Sequence, residues 1–456
     1  MGTMPENKLL LKISVPLVFS MLVQALYNVV DSFFVSKISE NALTAVSLAF
    51  PVQNLMIGVG VGTGIGMNAL LSRRLGQKNY PAVNSAAMNG LVLSLANTLI
   101  FMVFGIFFAG AYFRSQTDVA EIVTSGTAYL SICTAISFGV FFDFTFSRLL
   151  QSTGLTKHAM VGQIIGALTN IGLDWVLIFG HLGFPKLGVA GAAYATVIGQ
   201  IVSMLFDLLF NRIANKEIQL ELKGFRPSLS VIGQIYAVGV PAILNSTLFS
   251  FFTFGMNRIL IGFSTAATAV MGVYFKIQSF IFMPVFGLNS GMIPIVAYNF
   301  GAGRPDRIRK TMRLGLMYAL GIMIIGVLLF QLMPEKILSL FIDKPETMAI
   351  GVAALRTISL GFVFSAVVFV ISSVFQALGH GVHALIVQSV RQLIGALPLA
   401  YLFSLSGNVN MVWWAMPAAE VLTAAVTLLL FRSINRNQLA KLEPRPCGSP
   451  TLDTGD

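Results

Sequence analysis

Twelve apolar stretches, at residues 13–35, 45–71, 83–109, 120–147, 157–180, 189–211, 231–262, 267–297, 312–333, 347–378, 382–404 and 411–431, take up most of this 456-residue chain. Each reaches about 20 residues, the length that carries a helix across the hydrocarbon of a bilayer. The connections are short and carry turn formers, so backbone polar groups in the stretches must be satisfied inside helices. Composition agrees, with 56% hydrophobic residues, 10% charged residues and a mean hydropathy of +0.82, a balance that excludes a soluble globular protein. The expected fold is all-α and polytopic, with twelve transmembrane helices.

Orientation follows from the Lys and Arg residues of the connections, because positive charge is retained on the cytoplasmic side. With both termini inside, the inner segments carry twenty bases, from Lys8 and Lys12 to Arg436, Lys441 and Arg445, against five outside: Lys37, Arg114, Lys186, Lys336 and Lys344. The net charge of +11 is therefore topogenic, and no basic run with interleaved aromatics points to nucleic acid. Residues 1–12 read as a cytoplasmic N-terminus with no cleavable leader, so the first span stays in the membrane. Residues 433–456, with Pro444, Pro446, Gly448 and Pro450, read as a disordered tail. Cys133 lies in a span and Cys447 in that tail, which excludes a structural disulfide between them.

Sliding the chain on itself by 225 residues superposes Pro16 on Pro241, Gln53 on Gln278, Gly62 on Gly287, Gly66 on Gly291 and Gly76 on Gly301. The same offset superposes Gln151 on Gln376, Gly154 on Gly379, His158 on His383 and Gln163 on Gln388, without a gap. The chain thus reads as an N-lobe at 13–211, a cytoplasmic linker at 212–230 and a C-lobe at 231–432. Six spans per copy make the copies parallel, related by an axis along the membrane normal, an arrangement found in transporters. Two such bundles would enclose a cleft, and rocking them would open it to each side in turn. The repeat favours transport over a receptor or an enzyme.

Five acids lie well inside the stretches: Asp31, Asp143, Asp174, Asp207 and Glu420. An ionisable group in a span is functional by default and needs a partner. Asp143 and Asp207 have Arg148 and Arg212 nearby in sequence, so local inner-face pairs are expected for them. Asp31 and Asp174 share a depth in the outer half, counted at about 1.5 Å per residue from the inner ends of their helices. Asn170 and Tyr27 stand four residues before Asp174 and Asp31, on the same helix faces, and Thr196 lies at matching depth in the next span. Two carboxylates in a low-dielectric pocket cannot both ionise cheaply, so the pair would take up a proton. With the amide oxygen, the hydroxyl and a free backbone carbonyl, the pocket would equally hold Na⁺, or form a polar knot that only joins helices.

In the second bundle, Lys276 and Glu420 sit nine residues from the outer side of their spans, which makes an ion pair possible, with Arg356 as a competitor for Glu420. Glycines 58, 60, 62, 64 and 66 form no phosphate loop, since no Gly-Lys-Ser/Thr follows; their spacing suits close helix contact. His158 and His383 read as structural residues.

The combination of Pro16, Leu-Tyr-Asn-Val-Val-Asp at 26–31, Asn170 with Asp174, Ala192 with Thr196, and Pro-Ile-Val-Ala-Tyr-Asn-Phe-Gly-Ala-Gly at 294–303 resembles the multidrug and toxic compound extrusion (MATE) transporters. Within that family the first-bundle pattern is similar to the DinF-like prokaryotic branch, and the Phe275-Lys276 and Ala419-Glu420 steps to its MepA-like exporters. The resemblance implies the MATE fold, twelve helices in two V-shaped lobes, and efflux of cationic, often aromatic, molecules in exchange for Na⁺ or H⁺. It implies a cation site at Asp31, Asn170, Asp174 and Thr196, with Tyr27 nearby and Ala192 offering its carbonyl. Other branches place an acid in the seventh span, and this sequence has none between Val231 and Gly262, so the first lobe should dominate coupling. The implied setting is a monomer among the lipids of a prokaryotic plasma membrane, with no cofactor beyond the coupling ion. A flippase of lipid-linked precursors from the same superfamily is the alternative. An intramembrane enzyme is less favoured, for neither Gly-x-Gly-Asp nor His-Glu-x-x-His occurs.

Overall fold

The computed structural model describes residues 1–220, 225–342 and 344–442. Among them the first half of the chain forms α1 (Glu6–Ser36), α2 (Glu40–Gly76), α3 (Tyr80–Phe107), α4 (Ala109–Gln116), α5 (Ala120–Ala135), α6 (Phe138–Ser152), α7 (Thr156–Phe179) and α8 (Val189–Ala214). The second half forms α9 (Leu229–Ile261), α10 (Thr265–Gly301), α11 (Pro305–Leu332), α12 (Pro334–Leu338), α13 (Pro345–Ser359), α14 (Phe362–Ala377), α15 (Gly381–Ser389), α16 (Leu397–Ser404), α17 (Val409–Trp413) and α18 (Ala415–Asn437). A seven-residue π-turn, Val390–Ala396, joins α15 to α16 into one continuous rod. Ten helices are long and apolar enough to span a membrane, and the bent pairs α5–α6 and α13–α14, kinked by 42° and 49°, bring the number to twelve.

The repeat is reproduced nearly residue for residue. α2 and α10 each have 37 residues and start after a serine, Ser39 or Ser264, whose hydroxyl accepts the backbone N–H of Ala42 or Ala267 at 3.0 Å. That bond satisfies one of the four donors left open at a helix start. α3 and α11 each have 28 residues and carry a proline in the first turn, where the missing N–H costs nothing. The bends recur at equivalent places, Ile136–Ser137 and Leu360–Gly361.

The chain forms two compact units, and their boundary is not the polar linker at 212–230. One unit spans Phe19–Ile243, and the other combines Gly2–Val18 with the chain from Leu244 onward. The division falls inside α1 and α9, just after Pro16 and Pro241, prolines that remove a helix hydrogen bond where each rod passes from one unit to the other. The glycine ladders explain why the N-terminal ends of these rods belong where they do. In the first unit, a Cβ on Gly66 would lie 2.0 Å from the carbonyl oxygen of Ile235 in α9, and one on Gly62 would lie 2.8 Å from that of Gly239. In the second, a Cβ on Gly291 would lie 2.9 Å from Cα of Ser14 in α1, and one on Gly287 would lie 2.7 Å from Cα of Val18. Backbones approach this closely only without side chains. Gly60 and Gly64 open a second face of α2 to Phe144 and Arg148 of α6.

The N-terminus is fastened within the second unit. Glu6 pairs with Arg307 at 3.2 Å and Lys310 at 2.8 Å, and Arg304 donates to the carbonyl of Gly2 at 2.7 Å. Residues expected only to set topology therefore also hold the first turn of α1 in place. At the far end, α18 runs to Asn437, so helix extends beyond the expected limit of the C-lobe; Cys447 and residues 443–456 lie outside the described residues.

Candidate functional site

Within the first unit, α1 supplies Tyr27 and Asp31, α7 supplies Asn170 and Asp174, and α8 supplies Ala192 and Thr196. The i, i+4 spacing of the first two pairs puts each pair on one helix face, and the structure brings all three faces together. Asn170 donates to the Thr196 hydroxyl at 3.4 Å, and the hydroxyl of Tyr27 reaches toward the same threonine. Asp31 and Asp174 face one another. Asp174 is 0% exposed, yet neither of its carboxylate oxygens has a hydrogen-bond donor, and Asn170 Oδ1 and Asp31 Oδ1 are likewise buried without one. Four acceptor oxygens thus converge with too few donors. Burying such groups unpaired is costly, and a positive charge among them would relieve that cost.

Ala192 differs from expectation. It is fully buried in the first turn of an unbroken α8, where its carbonyl accepts the N–H four residues on, that of Thr196. The carbonyl is engaged by the helix and is not the free backbone oxygen expected from the sequence.

The site has walls that the sequence did not mark. Gln53 of α2 donates to the hydroxyl of Tyr129 in α5 at 3.3 Å, and Tyr129 and the free thiol of Cys133 lie in the field of Asp31. Gln53 was visible only as a repeated position. Tyr129 and Cys133 are uncharged residues in an apolar stretch and gave no signal.

Elsewhere in the unit, Asp143 and Arg148 lie within electrostatic reach of one another, as the expected local pairing has it, while Arg148 also donates to Gln151 at 2.6 Å. No ion pair joins Asp207 to Arg212 among the described residues. Asp207, 1% exposed, points across to α7, where only the missing side chain of Gly162 makes room for it: a Cβ there would stand 2.2 Å from Asp207 Oδ1. Asp143 adjoins this carboxylate, and Ser203 adjoins Asp143. His158 packs edge-on against Phe210 at 5.1 Å, and His383 packs at a tilt against Phe375 at 5.8 Å.

In the second unit Glu420 does form an ion pair, but with Arg391 rather than with Lys276 or Arg356. Arg391 Nε and Nη2 lie 2.6 and 2.5 Å from Glu420 Oε1. Lys276 and Glu420 share a depth, but depth does not fix which helices are neighbours. The π-turn bearing Arg391 packs directly on α18, with Gly395 against Ala419, and so delivers the guanidinium to the carboxylate. A lone base in the stretch 382–404 was the available signal.

No group of three or more His, Cys, Asp or Glu side chains suited to a metal occurs among the described residues. Two carboxylates with neutral oxygens suit a monovalent cation or a proton better than Mg²⁺ or Ca²⁺, which gather six or more oxygen ligands.

The MatE family model matches residues 16–176 and again 241–402, beginning at the two prolines that the repeat superposes. The chain belongs to the MatE family. Its MatE relatives include the multidrug export protein MepA of Staphylococcus saprophyticus, 24% identical over 94% of both chains. MepA of Staphylococcus aureus is 23% identical over 93% of both. Both agree with the MepA-like branch that the sequence resembles. An outward-facing multidrug resistance MATE family transporter of the MOP superfamily shares the fold with a TM-score of 0.88 at 26% identity, over 96% of both chains. A MOP superfamily transporter of Pyrococcus furiosus, whose binding pocket of reverse polarity suggests a different function, matches with the same score over 96% of this chain and 97% of that one. The MatE fold, a multi-pass helical membrane protein, is thus the architecture that positions the Asp31–Asp174 site.

Proposed function

We propose that this chain is a secondary active multidrug antiporter of a prokaryotic plasma membrane. It exports cationic and aromatic small molecules against inward Na⁺ or H⁺ by alternating access. It works as a monomer among lipids, with both termini in the cytoplasm and no cofactor beyond the coupling ion. The observation that carries this reading is Asp174, completely buried with two unsatisfied carboxylate oxygens and faced by Asp31. An acid in that position is stable when it shares a proton with its neighbour or when a monovalent cation joins Asp31, Asp174, Asn170 and Thr196. An ion entering from outside gains about 2.3 kcal/mol per charge per 100 mV of membrane potential. By filling the pocket it removes the repulsion between the two carboxylates, which changes the favoured position of α1 around Asp31 and drives outward release of the drug. The matched six-span halves supply the duplicated scaffold on which alternating-access transporters are built.

The test is uptake and release of a fluorescent cationic dye in proteoliposomes under an imposed Na⁺ gradient and an imposed pH gradient, one at a time. Dye movement driven by one gradient establishes antiport and identifies the ion. Movement under neither, with folded protein, overturns the antiporter reading and favours a flippase of lipid-linked precursors.

A further inference from the structure

The antiport cycle above uses the first unit and leaves the Arg391–Glu420 pair without a role. Both side chains are nearly buried, 14% and 11% exposed. Arg391 spends Nε and Nη2 on a single oxygen, Oε1, and leaves Glu420 Oε2 buried with no donor. Guanidinium–carboxylate pairs frequently use both oxygens in a parallel two-bond geometry, and this one does not. The backbone here is also unusual. Arg391 lies on the π-turn Val390–Ala396, and such wide turns recur at functional sites. The neighbouring Gln392 is 7% exposed, with its side-chain oxygen likewise unpartnered.

Around the pair stands an aromatic wall. The guanidinium lies over the ring of Phe369 at 4.7 Å, and Phe282 contacts Phe369 at 5.5 Å and Phe362 at 5.1 Å. Gly361, next to Phe362, packs on Glu420, where a Cβ would lie 3.1 Å from Glu420 Cγ. Tyr274, 1% exposed, is within electrostatic reach of both charges. Aromatic faces attract cations, and Arg391 already demonstrates the attraction here. The unmet need is for a hydrogen-bond donor at Oε2.

We propose that Glu420, with Phe369, Phe282 and Phe362, forms a second-unit recognition site for organic cations that carry N–H groups, and that Arg391 holds the carboxylate in place until such a cation arrives. The ligand donates its N–H to Oε2 while its delocalised charge meets the rings. A cation of equal size and charge without N–H meets the rings alone and leaves Oε2 unsatisfied. The site therefore distinguishes protonated or N–H-bearing amines from fully alkylated ones. The inference rests on the export reading, since it names the class of cation that the antiporter prefers.

The test uses the purified full-length protein and two dyes with the same xanthylium core and charge: rhodamine 6G, whose amines carry N–H, and tetramethylrhodamine ethyl ester, whose amines do not. Binding is read by fluorescence anisotropy in detergent and transport in proteoliposomes. Glu420→Gln is expected to weaken rhodamine 6G binding by about tenfold and to leave the alkylated dye within about twofold. Equal weakening of both dyes, or no change in either, overturns the proposal and leaves the pair a structural lock. Arg391→Gln supplies a second reading independent of how Glu420→Gln folds. Freed of its competitor, Glu420 should raise thermal stabilisation by rhodamine 6G relative to the alkylated dye, and an unchanged ratio overturns the proposal. Wild-type protein that binds neither dye overturns it as well. If wild-type protein binds rhodamine 6G selectively but transports neither dye under any gradient, the export reading falls and the site stands.

Discussion

The two units share a scaffold to within a residue at several helix ends and are opposite in the charges their apolar stretches carry, although of the second unit's bases in those stretches only Arg391 is withdrawn from the surface. Four of the five acids well inside apolar stretches, Asp31, Asp143, Asp174 and Asp207, belong to the first half of the chain. The four bases deep in such stretches, Arg258, Lys276, Arg356 and Arg391, all belong to the second. The five polar residues expected at the cation site each have an apolar counterpart 225 residues on: Tyr27 meets Phe252, Asp31 meets Met256, Asn170 meets Gly395, Asp174 meets Leu399 and Thr196 meets Val421. Conversely, Arg391 stands opposite Gly166 and Glu420 opposite Ala195. Caps, bends and glycine contacts, which decide helix length and packing, have kept the repeat, while the buried charges have not. In the first unit carboxylates are left short of donors, the condition for binding a cation. In the second the single acid is largely neutralised by an arginine, the condition for holding shape while reading a ligand.

The largest effect should come from removing the uncompensated acid. Asp174→Asn is expected to reduce gradient-driven dye transport to the level of protein-free liposomes, and Asp31→Asn to do the same. Glu420→Gln, by contrast, should keep gradient-driven transport of the fully alkylated dye. If Asp174→Asn retained full coupling and Glu420→Gln lost it, the assignment of coupling to the first unit would be reversed.

Next in size is the response of stability to a broken pair. Glu420→Ala leaves the buried Arg391 guanidinium without its partner and should cost about 3–5 kcal/mol, read as a lower thermal midpoint in detergent. The double variant Arg391→Met with Glu420→Leu should recover most of that loss, because removing both charges also removes the desolvation burden. The corresponding change in the first unit should behave oppositely. Asp174→Leu, the residue found at the equivalent place, removes a carboxylate that has no donor to lose and should leave the midpoint unchanged or raise it while abolishing coupling.

Much of this contrast was legible in the chain. Acids in lipid-length stretches are rare enough to stand out, and helical spacing tied Asn170 to Asp174 and Tyr27 to Asp31 before any coordinates. Counting residues gave depth, which is why Asp31, Asp174 and Thr196 meet as expected. It gave no information on which helices are adjacent, and so Glu420 was matched to Lys276 by depth when Arg391 of the packed π-turn is its partner. Nor could composition find Tyr129 and Cys133, whose places beside Asp31 follow from the packing of α5 and α2 alone. The polar linker marks where one copy ends in sequence. The units themselves divide after Pro16 and Pro241, because glycine ladders bind the N-terminal ends of α1 and α9 to α10 and α2 respectively.

The smallest predicted effect sits where the scaffold itself has diverged. After α2 and after α10 the chain closes the helix with the same αL turn: Asn79 N–H donates to Arg74 O at 3.1 Å, and Arg304 N–H to Asn299 O at 2.9 Å. The residue in the left-handed region is Gly303 in the second copy, at φ 68°, but Lys78 in the first, at φ 57°. A Cβ there crowds the following carbonyl, costing roughly 1–2 kcal/mol, while glycine brings extra unfolded-state entropy of about 0.4–1 kcal/mol. Lys78→Gly is therefore expected to stabilise by about 0.5 kcal/mol, and Gly303→Lys to destabilise by a similar amount, both read from thermal midpoints. A loss of stability in Lys78→Gly would mean that the lysine side chain contributes more at the inner surface than its backbone strain takes away.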